Sequence, residues 1–255
     1  MNLIFDSHAH YDDEDFDLDR AELLSAFPDQ GIFAVLNAAS TVDSASLCVQ
    51  YAQQYDYIYA AVGVHPNECL HLTDEDLRAI RALTAQEKVV AVGEIGLDYH
   101  YDYAPREVQQ HWFEIQLDMA NELNLPVVVH DREAHEDILR LLEKHRPRGV
   151  IHCFSGSVEM AREAVKMGLY IGIGGSVTFK NARHPVEVAA FVPDDRLLIE
   201  TDAPYMAPVP FRGKRNLSTL IPHTAAKIAM ARGTSENSIL EMTRRNACEL
   251  FRIQP

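Results

Sequence analysis

Leu3-Ile4-Phe5-Asp6-Ser7-His8-Ala9-His10 begins with three apolar residues and ends in two imidazoles one residue apart. In an extended strand side chains alternate between faces, so His8 and His10 project the same way. A buried strand ending in such a pair can grip one metal ion from a single side. The spacing is common by itself, and its weight depends on how later strands end.

They end alike. After the first strand, residues 32–36, 57–62, 88–94, 125–130, 149–152, 169–173 and 196–200 read as short apolar strands. Helical patterns alternate with them over 17–27, 42–54, 105–123, 133–144, 159–167, 186–191, 221–231 and 235–251. A further helix opens at Thr73, with Asp76 as its capping-box partner. Strands this apolar suit a parallel sheet covered by helices. The 255-residue length matches a (β/α)8 TIM barrel, an α/β fold, as a single domain over 1–255. No G-x-G-x-x-G follows the first strand, which removes the usual dinucleotide reading.

No apolar run approaches the roughly 20 residues that cross a bilayer, and no basic-then-apolar leader is seen, so a cytoplasmic protein is expected. Cys48, Cys69, Cys153 and Cys248 lack any C-x-x-C spacing and read as reduced thiols; Cys153, beside His152 on a strand, is expected to face away from it. The formal charge of −15 argues against a broad phosphate-gripping face. It leaves room for a pocket where bound cations invert the local field. Six acids crowd positions 12–19 and read as a solvated loop.

The expected strand ends carry His8 and His10, then Glu94, His130, His152 and Asp202. In a parallel barrel all of these meet at one mouth. Four imidazoles and two carboxylates exceed the needs of one ion and suit two divalent ions bridged by a carboxylate. His71, His100, His111, His135, His145, His184 and His223 fall on helices or loops and read as surface residues.

These blocks resemble the TatD family of metal-dependent deoxyribonucleases, within the amidohydrolase-like metal barrels. The resemblance covers Ile4–Asp12, Gly63-Val64-His65-Pro66, Gly93–Tyr99, Leu125–His130, His152–Gly156, Glu200–Tyr205, Arg212–Asn216 and Asn246-Ala247. It implies that His8, His10 and Asp202 hold one metal, that Glu94 bridges, and that His130 and His152 hold the second. It also implies phosphodiester hydrolysis, commonly by a Mg²⁺-dependent 3′-5′ exonuclease acting on single-stranded DNA or RNA. Leu217-Ser218 stands where many members have Glu-Pro, which puts the contacts of that loop in question.

Asp202 is the expected proton acceptor for the attacking water. Arg132, Ser155 and Gly156, and more distantly Arg215 and Asn216, are candidate phosphate contacts. His65 points at the same mouth as a contact or proton donor, Tyr205 offers a face for a base, and Asp98 is expected to orient a ligand. Imidazoles favour Zn²⁺, Mn²⁺, Ni²⁺ or Fe²⁺, whereas the resemblance points to Mg²⁺ or Mn²⁺ in use. No membrane or obligate protein partner is expected. The alternative is the same dinuclear site cleaving an amide, ester or lactone, as a D-aminoacyl-tRNA deacylase or lactonase would. A non-catalytic scaffold has no need for the complete ligand set.

Overall fold

A computed structural model describes residues 3–101 and 103–254. Its strands are β1 (Ile4–Ala9), β2 (Ile32–Ala38), β3 (Ile58–Val62), β4 (Val89–Asp98), β5 (Val127–Arg132), β6 (Gly149–Ile151), β7 (Tyr170–Ile173) and β8 (Leu197–Ile199). They pair in parallel in the order β1 to β8, and a bridge between Ala9 and Ala203 brings the two ends together. This is the expected α/β barrel. Its helices are α1 (Arg20–Ala26), α2 (Val42–Gln54), α3 (Asp74–Leu83), α4 (Arg106–Leu123), α5 (His135–His145), α6 (Val158–Lys166), α7 (Arg183–Phe191), α8 (Ile221–Arg232) and α9 (Glu236–Phe251). Among the described residues no helix is long and apolar enough to cross a membrane.

Alternation along the strands sorts the core into two layers. Val92, Val127, Val129, Ile151, Ile171 and Ile199 face the helices. Phe5, Ala34, Leu36, Ala91, Val128, Val150 and Leu198 pack together inside the ring, where Leu250 and Phe251 of α9 join them. The inward register of β5 runs Val128 to His130, and beyond β6 it runs Val150 to His152. The lumen is thus apolar at its floor and imidazole-rich at its mouth.

Several boundaries differ from the sequence reading, each for a local reason. The first helix starts at Arg20, because the acids before it are engaged elsewhere. Asp13 caps a 3-10 turn over Glu14–Phe16, and Arg20 Nη2 donates to the Asp13 carbonyl at 2.7 Å and to Asp17 at 2.7 Å. The acidic stretch is therefore partly pinned, while Glu14, Asp15 and Asp17 stay exposed as a solvated loop requires. β4 continues past Glu94 to Asp98, which pairs with Arg132 of β5. Gly96 permits this: at φ +152° a Cβ would meet the His130 carbonyl oxygen at 2.0 Å. β6 stops at Ile151, leaving His152 just beyond it and Cys153 in the left-handed region at φ +42°. Alternation therefore does not carry Cys153 to the opposite face. Thr73 caps α3 as expected, with its backbone N–H donating to Asp76 at 2.9 Å.

The seam between β1 and β8 is closed by side chains as much as by backbone. Ser7 Oγ donates to the Ile199 carbonyl at 3.0 Å, and the backbone N–H of His10 donates to Ala203 at 2.7 Å. Buried Asp6 accepts from Thr201 Oγ1 and from Ser218 Oγ, both at 2.6 Å. Tyr11 hydroxyl lies 2.8 Å from Ser218 Oγ. Burial pushes Asp6 up to about 6 despite these donors. Ser218→Ala leaves Asp6 Oδ2 and the Tyr11 hydroxyl each one partner short. The expected loss is about 1–3 kcal/mol, read as a lower urea midpoint at unchanged m-value; an unchanged midpoint would show that the seam does not depend on this hydroxyl.

Candidate metal centre

The cluster is built around Glu94, whose side chain is 4% exposed. The β4–β5 register is irregular between Val92 and Ile95. Continued alternation from Ala91 would send Glu94 outward; the irregularity turns it into the mouth, a common use of bulges beside active sites. Glu94 Oε2 lies 3.3 Å from His8 Nε2 and 3.4 Å from His10 Nε2. Its Oε1 lies 2.7 Å from both His130 Nδ1 and His152 Nε2. Asp202 Oδ1 completes the first set at 3.6 Å from His8 Nε2 and 3.5 Å from His10 Nε2.

Three overlapping groups bring ligand atoms close enough for an ion: His8, His10 and Glu94; His8, His152 and Asp202; His65, Glu94 and His130. His8 and His152 stack at 3.8 Å between centroids, which ties the two sides of the cluster together. The structure thus gathers all six expected ligands in one place.

For His10, His130 and His65, hydrogen bonding away from Glu94 says which nitrogen the neutral ring leaves free; His8 Nδ1 and His152 Nδ1 have no such partner among the described residues. His10 Nδ1 lies 2.8 Å from the Ala38 carbonyl, which can only accept, so in the neutral ring Nε2 is the nitrogen left with a lone pair for a cation. His130 Nε2 lies 3.2 Å from Asp98 Oδ2, leaving Nδ1 toward Glu94. His65 is the exception. Its Nδ1 accepts from the Asn67 backbone N–H at 3.1 Å, so the neutral ring carries its proton on Nε2. His65 Nε2 is 3.5 Å from Glu94 Oε1, and in that tautomer it carries a proton where a ligand would need a lone pair.

Charge at the centre follows the same arrangement. Burial raises Glu94, but the imidazoles of His152, His65 and His8 overcome it and hold the carboxyl well below its usual range. Burial raises Asp202 too, and the bond to His10 and the charges of His152 and His8 outweigh it. Burial and the neighbouring His152 push His8 down to about 4. For His130, burial is outweighed by Asp98 and Glu94, which lift it to about 9. One buried carboxylate and one partly exposed one, facing so many nitrogens, form a site whose charge a divalent cation balances, and the donor set fits one.

The cluster lies in a cavity of about 600 Å³ with Arg132, Tyr101, Tyr103 and Tyr205 on its rim. Arg132 lies over the Tyr101 ring at 4.8 Å, and Tyr101 stacks on Tyr103 at 5.3 Å. The sequence reading missed this tyrosine pair; the aromatic run directly after Asp98 was the available signal. It also passed over Glu200, which burial pushes up to about 8 and whose Oε1 accepts from the Cys153 backbone N–H. That oxygen stands 3.8 Å from His152 Nδ1.

Four expected substrate contacts lie elsewhere. Ser155 is exposed outside the cavity lining, and Gly156 is buried against Phe154 and Met160. Asn216 is buried, donating to the Thr201 and Tyr205 carbonyls at 2.8 Å each. Its amide fixes the loop that carries Asp202 instead of meeting a ligand. Arg215 is paired with Asp19 at 2.5 Å and lines a neighbouring cavity.

The family described as TatD related DNase matches residues 5–252. This chain belongs to the TatD family. A relative named "Uncharacterized metal-dependent hydrolase YabD", from Bacillus subtilis, is 42% identical over 98% of this chain and 100% of its own length. "3'-5' ssDNA/RNA exonuclease TatD" of Cronobacter sakazakii is 35% identical, covering 97% of each chain. The crystal structure of the TatD homologue YJJV from Escherichia coli superimposes with a TM-score of 0.93 at 31% identity, over 99% of each chain. The clustered histidines and carboxylates therefore sit in a TatD barrel, at the mouth where such barrels build their sites.

In equilibrium dialysis with Mn²⁺, Glu94→Gln is expected to lower bound metal, since it touches both imidazole pairs. His65→Asn is expected to retain the wild-type metal content; a matching loss there would mean that His65 is a ligand after all.

Proposed function

We propose that this TatD-family protein is a metal-dependent phosphodiesterase that trims single-stranded DNA or RNA from the 3′ end, using two divalent ions. The observation carrying this reading is the division of Glu94: one oxygen faces His8 and His10, the other His130 and His152. On that reading His8, His10 and Asp202 would hold one ion and His130 and His152 the other, with Glu94 facing both sets. The name of the exonuclease relative, 35% identical, supports the choice of bond and of single-stranded substrate.

Bound ions lower the pKa of a water molecule and offset charge on the phosphoryl oxygens. The protein's own groups supply the rest. Asp202 is 16% exposed against 4% for Glu94, so Asp202 is the carboxylate able to orient water and take its proton. His65 presents its Nε2 proton to the cavity and donates to a phosphoryl or leaving oxygen. Arg132 on the rim offers a bidentate fork for a phosphate. The tyrosine rings at the mouth provide faces for bases without selecting their identity. An imidazole-rich set retains transition ions on purification, while Mg²⁺ or Mn²⁺ serves in turnover.

Release of nucleotides from single-stranded DNA tests the reading. Chelation is expected to abolish it and added Mn²⁺ or Mg²⁺ to restore it. Cleavage of esters or lactones but of no phosphodiester, under every metal, would overturn the proposal in favour of a different bond. Asp202→Asn is expected to lower kcat by about 10²–10⁴ with an unchanged far-UV spectrum. Residue 202 sits at φ +61°, a region that Asn tolerates as well as Asp, so the fold survives the change.

A further inference from the structure

Beside the metal mouth lies a second cavity, of about 410 Å³, and Tyr205 and Met206 line both. The new cavity carries Arg212, Lys214 and Arg215 against a single acid, Asp15, in a chain whose formal charge is −15. Arg215 is already neutralised by Asp19, at 2.8 and 2.5 Å. Arg212 and Lys214 have no carboxylate partner among the described residues; Arg212 lies over the Phe179 ring at 4.5 Å. Two unneutralised cations therefore stand next to the candidate metal centre, on a protein otherwise rich in acid.

Their placement is built into the backbone. Lys214 N–H donates to the Phe211 carbonyl at 3.0 Å, and Gly213 at φ +83° takes the third position of the turn. That position needs positive φ in a type II turn, which glycine supplies. The turn is tied to the loop carrying Asp202 by the Asn216 N–H, which donates to Pro204 at 2.9 Å, and by the buried Asn216 side chain. Between the two cavities the Tyr205 hydroxyl is held by Asp13 at 2.7 Å, leaving the residue 52% exposed.

We propose that the Arg212-Gly213-Lys214 turn is a phosphate subsite for the body of a single strand whose end is cut at the metal centre. The strand crosses the Tyr205–Met206 ridge, lays a base on the Tyr205 ring, and sets an upstream phosphate between Arg212 and Lys214. This rests on the nuclease reading above. It adds a second point of grip, so that a strand longer than its terminal nucleotide is held better than a small diester.

The test uses metal-loaded protein and a short fluorescein-labelled phosphorothioate oligothymidylate, with binding followed by anisotropy against salt concentration. For single strands each lost phosphate contact flattens the log–log salt slope by about 0.7. Arg212→Ala/Lys214→Ala is expected to weaken binding and flatten the slope by about 1.4 if both contacts are made. Its loss of kcat/KM is expected to be larger on the unmodified strand than on bis(p-nitrophenyl) phosphate, which has no second phosphate. Lys144→Ala/Arg146→Ala removes the same charge at the C-terminal end of α5, on the far side of the barrel, and is expected to match wild type. A double variant with the wild-type slope, a control that flattens equally, or wild type that does not bind the strand would each overturn the subsite. Strand binding through the turn without hydrolysis would instead remove the nuclease reading and keep the subsite; hydrolysis with an unchanged slope would do the reverse.

Discussion

A carboxylate with almost no exposed surface has to find positive charge or proton donors close by, and Glu94 is that carboxylate. Everything at the mouth is arranged to meet this demand. Imidazoles from the ends of β1, β5 and β6 converge on its two oxygens, and two of them, His10 and His130, are fixed from behind. The Ala38 carbonyl holds His10, and Asp98, on the same strand as Glu94, holds His130. Burial raises Asp98, yet His130 and the N–H groups of Tyr101 and His100 keep it near about 2, so it serves as a charged anchor. A nitrogen-rich cage around an ionised carboxylate is an arrangement that a divalent cation completes.

The ring that supports this cage closes where the chain's first and last strands meet. Asp6, Thr201, Ser218 and Tyr11 form one buried chain of hydrogen bonds across that seam. The same seam sets His8 and His10 beside Asp202, whose backbone N–H donates to the His8 carbonyl at 3.0 Å. Closure of the barrel and assembly of the metal centre are thus one structural event. The departure at Leu217-Ser218 has a plain account here: the serine hydroxyl is an internal partner of Asp6 and never reaches the cavity. The neighbouring Asn216, expected to touch substrate, likewise works on backbone carbonyls.

The net charge conceals two kinds of surface at this mouth. A small, strongly polar centre lies among acids of which Asp17, Asp19 and Asp13 are held by Arg20, Arg215 and Tyr205. Aromatic rings and a few cations surround it on opposite rims, with Arg132 and Tyr101 on one side and the Arg212 turn on the other. That combination suits a thin polyanion with flat bases better than a duplex, which would need a broad basic face.

The amino-acid order by itself determined the barrel, because apolar strands alternating with amphipathic helices leave few other ways to bury both faces of a sheet. It also singled out the candidate ligands, since His8, His10, Glu94, His130, His152 and Asp202 all fall at or near strand ends. The tertiary structure alone decided how those side chains point. Strict alternation would turn Glu94 outward, and only the register irregularity within β4 aims it at the imidazoles. It alone revealed that His65 shows a proton instead of a lone pair, a fact set by the backbone N–H of Asn67. It also kept Ser155, Gly156 and Asn216 out of the cavity lining and placed Tyr101 and Tyr103 in it. The physical reason is common to all of these. Periodicity specifies a face, whereas hydrogen-bond partners and bulges specify a direction.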